Sequence, residues 1–240
     1  MAFIRPKKAR IRSFLQILSL IIMKQLFSLI TLFSLFFLSS CEQKNIKVAC
    51  VGDSITEGFS LENPDTESYP AVLQSLLGAK YEVGNFGMCA HTMMNKGNHP
   101  YMNSNEGRFR FQESLAFCPD VVTIMLGTND SKAMNWDEHK DDFVPSMNAM
   151  IDSFQCLSSH PEIFVCIPIP ATGFAYEIRP EVIENEICPL VKQVAEERGL
   201  KVIDINKAFQ NHLNTLEDYV HPNKEGAKVI AEEIYKALQK

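Results

Sequence analysis

Five short apolar runs punctuate the chain, and their spacing leaves few architectures open. They read "IKVACVG" (46 to 52), "YEVGNFG" (81 to 87), "VVTIMLG" (121 to 127), "IFVCIPI" (163 to 169) and "KVIDI" (201 to 205). Most are β-branched, nearly continuous in hydrophobicity and bounded by Gly, Pro or Asn, as strands buried on both faces should be. The stretches between them read as helices. "YPAVLQSLLG" ends in a glycine stop, "FVPSMNAMIDSFQCL" and "IENEICPLVKQVAEERG" carry apolar residues at helical spacing, and "NKEGAKVIAEEIYKALQK" closes the chain as an amphipathic helix. Strands that alternate with helices need crossover connections, which give a parallel sheet covered on both sides. The expected fold is α/β, a three-layer α/β/α sandwich with a five-stranded parallel sheet.

The beginning of the chain has a different character. From Phe14 to Leu38 it is almost wholly apolar, but Lys24 and Gln25 leave an uninterrupted core of about 13 residues. That is too short to span a bilayer comfortably. "MKQLFSLITLFSLFFLSSC" has a basic start, an apolar core and small residues before Cys41, as a secretory signal does. Its end, "LSSC", resembles the lipobox of bacterial lipoproteins, and the resemblance implies cleavage before Cys41 and lipidation of that residue. It also makes Met23 the expected true start. The alternative is an uncleaved anchor. The expected organisation is a signal region over 1–40, a lipidated Cys41 with a short tether over 41–45, and one domain over 46–240. The expected location is the periplasm or cell surface, with the chain held at the membrane through Cys41.

Charge and cysteines narrow the partners. All six basic residues before Cys41 leave with the signal, so 17 Lys and Arg face 29 Asp and Glu, a net charge of about −12. Such an acidic body repels phosphate backbones, so nucleic acid is not an expected partner. Six further cysteines, at positions 50, 89, 118, 156, 166 and 188, form no C-x-x-C pair and no zinc-type spacing. Cys50 and Cys166 lie in apolar runs and read as buried small hydrophobes.

In an open parallel sheet, ligands gather at the carboxyl ends of the strands. Three segments leaving those ends are long, 88–112, 128–141 and 170–182, where a mere connection needs only a few residues. Four short elements fall at the same end. Ser54 follows the first run, Gly87 ends the second, Asn129 lies past the third, and "DYVHPN" precedes the last helix. A serine hydroxyl is a weak nucleophile until a base takes its proton, and His221 can be that base. Asp218, three residues earlier, can hold the other ring nitrogen and stabilise the imidazolium. The N–H groups of Ser54 and Gly87 and the amide of Asn129 can meet a developing oxyanion. Each signal alone has a plainer reading: a serine after a strand is most often a helix N-cap, and His before Pro is usually a turn residue.

Taken in order, "GDSITEG", "NFG", "GTND" and "DxxHP" resemble the four blocks of the SGNH hydrolases, also called the GDSL esterase and lipase family. The likeness covers about 46 to 238. It implies sheet order 2-1-3-4-5, with Ser54 as nucleophile, His221 as base and Asp218 as its orienter. It also implies an oxyanion hole from Ser54, Gly87 and Asn129, and no metal or organic cofactor. One departure stands out: the second block of the family often runs N-x-G-x-x-G, and here Ala90 takes the place of the last glycine.

For the substrate, the three long segments are the evidence. They are rich in amides and charges with single aromatics, and Tyr101, Trp136 and Tyr176 are the expected platforms for a sugar. "MLGTNDSKAMNW" with "GNHPY" looks like the branch of carbohydrate O-acetylesterases, sialate O-acetylesterases among them. A sialic acid carboxylate would pair with Arg108, Arg110 or Arg179. The expected function is therefore a lipid-anchored serine esterase acting on small acyl esters of glycans. A lysophospholipase or thioesterase on the same scaffold, and a glycan-binding lipoprotein without catalysis, are the alternatives.

Overall fold

Each of the five apolar runs forms a strand. In the computed structural model these are β1 (Ile46–Gly52), β2 (Tyr81–Gly87), β3 (Val121–Met125), β4 (Glu162–Cys166) and β5 (Lys201–Ile203). All neighbours pair in parallel in the order β2-β1-β3-β4-β5, the order the family resemblance implies. The structure describes residues 18–25 and 45–239. Residues 18–25 are helical, whereas Cys41, its lipobox and the rest of the signal region lie outside the described residues. Among the described residues, no helix is long and apolar enough to cross a membrane.

The last three strands stop short of their apolar runs for local reasons. Pro168 and Pro170 have no N–H to give a ladder beyond Cys166. Asp204 ends β5 by capping the next helical turn, its carboxylate accepting from Lys207 N–H at 3.0 Å. Five helices cover the sheet: α1 (Tyr69–Leu77), α2 (Asn105–Ala116), α3 (Phe143–Gln155), α4 (Cys188–Arg198) and α5 (Lys224–Leu238). The helix expected from 183 starts earlier, at Pro180, and passes through a π turn at Ile183–Ile187 before Pro189. A wider turn there is the adjustment expected where a proline ring would strike the carbonyl four residues back.

Alternation along each strand divides the apolar side chains between two layers. Ala49, Val51, Val122, Ile124, Ile163 and Val165 face the side covered by α2, α3 and α4. Val48, Cys50, Phe164, Cys166 and Ile203 face α1 and α5. The central strands β1, β3 and β4 are closed to solvent on both faces, which is why they read as continuous apolar runs, whereas the edge strands β2 and β5 stay partly exposed.

The long segments are less loop-like than expected. Residues 88–112 run into α2, which Ser104 caps by accepting from Gly107 N–H at 2.9 Å. Residues 128–141 hold a short helix at Ala133–His139.

Register sets the position of the strand ends. Gly52 of β1 lies opposite Gly87 of β2 and Met125 of β3, so three segments leave the sheet side by side. The helical turn after β1, Ser54–Glu57, packs directly on the end of β2. A Cβ at Gly87 would sit 2.1 Å from Glu57 N and 2.5 Å from its Cα. Only glycine permits that approach. Gly87→Ala is expected to lower stability by about 1–3 kcal/mol, the usual cost of forcing atoms into a packed interior. A denaturant midpoint equal to the parent's would show that the turn does not rest on β2.

Candidate active site

Asp53 ends β1 by capping the helical turn that carries Ser54, its Oδ1 accepting from Ile55 N–H at 3.0 Å. The turn closes at Gly58, in the left-handed region at φ 93°, whose N–H returns to the Ser54 carbonyl at 3.0 Å. Ser54 is thus fixed at the mouth of the sheet with its own N–H free of any intrahelical acceptor, as at every helix start.

The opposite end of the chain meets it there. Ser54 Oγ lies 2.9 Å from His221 Nε2, across 167 residues of sequence. His221 Nδ1 lies 2.7 Å from Asp218 Oδ2. With Nδ1–H directed at a carboxylate, Nε2 is left to accept the serine proton. Asp218 Oδ1 also accepts from the backbone N–H of Val220 at 3.0 Å and of His221 at 2.7 Å. Tyr219, between Asp218 and Val220, takes φ 73°, which turns both N–H groups back toward the carboxylate. Burial alone would raise the Asp218 carboxyl, but these hydrogen bonds and the facing imidazole hold it below its ordinary range.

Asn129 follows β3 in a single turn and is buried. One proton of its side-chain amide goes to the His91 carbonyl at 3.2 Å, which leaves the other for the cavity it lines with Ser54 and His221. The loop after β2 is held against it by Asp130, whose two oxygens accept from the N–H groups of Met93 and Met94 at 2.9 and 2.8 Å.

Gly87 does not stand where the resemblance puts it. Its N–H donates to Asn85 Oδ1 at 2.9 Å, and it lines the neighbouring cavity instead. Ala90, three residues on, lines the cavity with Ser54 and Asn129, and its N–H makes no hydrogen bond among the described residues. Ala90 has φ 65°, a conformation that glycine adopts most easily. The signal was present in the sequence as the missing second glycine of N-x-G-x-x-G.

Of the expected platforms, two are corrected by burial. Tyr101 is fully buried, its hydroxyl donating to the Phe86 carbonyl, and Trp136 packs edge-on against Phe143 in the core. Both pin their loops to the body. Tyr176 does reach the site, but by another contact: its hydroxyl donates to Asp218 Oδ2 at 3.1 Å. Its ring and that of Phe59 flank the His221 imidazole at 5.2 and 4.7 Å, and both remain about half exposed.

Two of the arginines are engaged elsewhere, Arg179 with Asp137 and the Ser131 carbonyl, Arg110 with Glu113. Arg108 is exposed on α2. The cation lining the cavity beside Ser54 is Lys132, which none of the sequence motifs marks. All six described cysteines are free thiols, and among the described residues no cluster of His, Cys, Asp and Glu could hold a metal.

Two buried carboxyls shape the pH response. Burial pushes Asp53 and Asp130 up to about 7, against the N–H groups that oppose it. A raised folded pKa means that the folded state holds more protons than the unfolded chain between about 4 and about 7. Stability is therefore expected to fall as pH rises through that window. The depressed Asp218 acts oppositely, its contribution lost only below the unfolded value. Thermal melts from pH 5 to 8 should show the decline, and Asp53→Asn, which keeps the cap, should flatten it. Parallel curves for parent and variant would refute the assignment to Asp53.

Known proteins resemble this chain in sequence and in fold. The model of the GDSL-like Lipase/Acylhydrolase family matches residues 50–229. An acetylxylan esterase of Xylanibacter ruminicola is 39% identical over 212 residues, which are 81% of this chain and 43% of that protein. The chain thus spans less than half the length of that relative. Among solved structures, an aryl esterase of M. smegmatis has a TM-score of 0.67 at 21% identity, covering 81% of this chain and 98% of that one. A carbohydrate acetylesterase from Sinorhizobium meliloti has a TM-score of 0.67 at 20% identity, covering 81% and 99%. At such identities the likeness is one of fold. From the family match over three-quarters of the sequence, the chain belongs to the GDSL-like lipase/acylhydrolase family, a family of carboxylic ester hydrolases.

Proposed function

We propose that this chain is a serine esterase that removes acetyl groups from carbohydrate hydroxyls through an acyl-Ser54 intermediate. The observation that carries the reading is the relay of Ser54 Oγ, His221 Nε2 and Asp218 Oδ2, with steps of 2.9 and 2.7 Å. In this mechanism His221 takes the serine proton as Oγ attacks the ester carbonyl, and the imidazolium is held by Asp218. The oxyanion forms against the Ser54 N–H, the Ala90 N–H and the Asn129 amide, fixed donors that need no rearrangement. The His221 imidazolium then gives its proton to the departing sugar oxygen as its bond to the acyl carbon breaks, and a water deprotonated by His221 attacks the acyl-Ser54 carbonyl, releasing acetate as the proton returns to Ser54 Oγ.

The acyl cavity is small, about 70 Å³, bounded by Ile178, Val220 and Thr128. That volume supports a short acyl group over the long chain of a lysophospholipid or fatty acyl thioester. The name of the 39% identical relative supports a carbohydrate as the alcohol part. Neutral sugars are favoured over O-acetyl sialic acids, because Arg179 and Arg110, two of the three arginines meant for a sialic carboxylate, already face carboxylates of the protein.

Ser54→Ala and His221→Ala are each expected to cut acetate release from nitrophenyl acetate by at least ~10³-fold, in line with removal of a nucleophile or its base. Parent activity in Ser54→Ala would sink the mechanism, and tight glycan binding without acyl release from any ester would leave a binding protein. Across a series of acyl lengths, the rate should be highest at acetyl and decline by octanoyl. A rise along the series would return the reading to a lipase or thioesterase.

We also propose that the chain is an exported lipoprotein held at the membrane through Cys41, on the strength of "LSSC" after an apolar core. Cys41→Ser should move the protein from the detergent-soluble membrane fraction to the soluble fraction. An unchanged membrane fraction would favour an anchor that is not cleaved.

A further inference from the structure

The cavity beside Ser54 shares Phe59 and Cys89 with a second, larger one of about 640 Å³, lined also by Glu57, Asp65, Asn85, Gly87 and Arg110. A third cavity, about 400 Å³, shares Glu57, Asp65 and Asn85 with the second. The three make one trough that runs from the nucleophile along the end of β2, the edge strand of the sheet. The acyl end accommodates little more than an acetyl group, while the volume beyond it is in the range of a built ligand site.

The lining of the trough states the chemistry of its occupant. Beside Leu61 and Pro64 it sets two acceptors (Glu57, Asp65), a donor and acceptor amide (Asn85) and a guanidinium (Arg110), with one exposed aromatic face, Phe59. A hydrocarbon tail would strip water from these polar groups without replacing their hydrogen bonds. An anionic chain would meet two carboxylates and an arginine already paired with Glu113. A neutral polyhydroxyl chain supplies both donors and acceptors and offers C–H faces to an aromatic ring.

Hydrogen-bond accounting points the same way. Glu57 Oε2 and Arg110 Nε are both shut off from bulk solvent and have no hydrogen-bond partner among the described residues. Buried polar atoms in folded proteins are rarely left so, and both belong to side chains that line the trough, where a turn of the carboxylate or guanidinium would bring the unpartnered atom to a sugar hydroxyl.

We infer that this trough binds a neutral saccharide chain of several units, with Phe59 at the scissile ester and Glu57 and Arg110 holding the neighbouring sugars. The inference rests on the esterase reading for its chemistry but not for its binding. Acetylated xylo-oligosaccharides of one to four units are the test substrates, with phenyl acetate as the substrate that does not fill the trough. kcat/KM should rise at least tenfold from one to four units. Arg110→Ala and Glu57→Gln should each raise KM for the tetramer at least fivefold more than KM for phenyl acetate.

A flat length series with phenyl acetate still hydrolysed would overturn the trough and leave the esterase standing. So would a preference for glucuronate-bearing chains over neutral ones. If no ester is hydrolysed, the esterase reading fails instead, and calorimetric titration of Ser54→Ala with unsubstituted xylotetraose decides the trough. Binding that strengthens from dimer to tetramer supports it; no heat at millimolar sugar overturns it.

Discussion

The register at Gly52 is the constraint on which the rest of the site depends. Because Gly52 faces Gly87 on one side and Met125 on the other, the segments carrying Ser54, Ala90 and Asn129 leave the sheet within reach of one another. A slip of one residue in any of these pairs would turn every strand side chain to the wrong layer, so the two packed faces lock the register. The site inherits its precision from that packing. Gly87 then has a structural duty that accounts for it without any oxyanion: it lets the Ser54 turn lie directly on the edge strand.

Loops built on this frame are tied down by buried polar groups rather than by apolar contact. Asp130 collects two backbone N–H groups from the β2 loop, Asn129 holds the His91 carbonyl, and His91 itself bridges the Cys89 carbonyl and Ser104 Oγ at 2.8 and 2.9 Å. These bonds fix Ala90 in a left-handed conformation that an alanine does not choose alone. Asp53 and Asp130 lie buried close together, and their shared reluctance to ionise is the cost of this arrangement. Strain and buried charge thus concentrate where the chemistry is proposed, while the two core layers stay apolar.

The aromatic pair around His221 links this centre to its surroundings. Phe59 belongs to the acyl cavity and the trough alike, and Tyr176 touches the Asp218 oxygen that also holds the imidazole. A ligand entering along the larger cavity would pass the ring that packs on His221. The space is thus divided into a tight end beside Ser54 and a broad end beyond Phe59.

Fold class, strand number and the gathering of Ser54, Asn129, Asp218 and His221 at one end of the sheet were legible in the sequence, because hydrophobic period and short ordered motifs are local properties. What the sequence could not decide was direction. Tyr101 and Trp136 were indistinguishable from sugar platforms until the loops folded back and buried them, and Arg179 and Arg110 looked free until Asp137 and Glu113 came opposite. Gly87 and Ala90 exchanged places for the same reason, since which N–H faces the nucleophile depends on backbone torsions set by distant bonds to Asp130 and Asn129. The sequence by itself determined which chemistry the chain carries. Only the tertiary structure decided which groups face it, because contacts between residues far apart in sequence exist only once the chain has closed on itself.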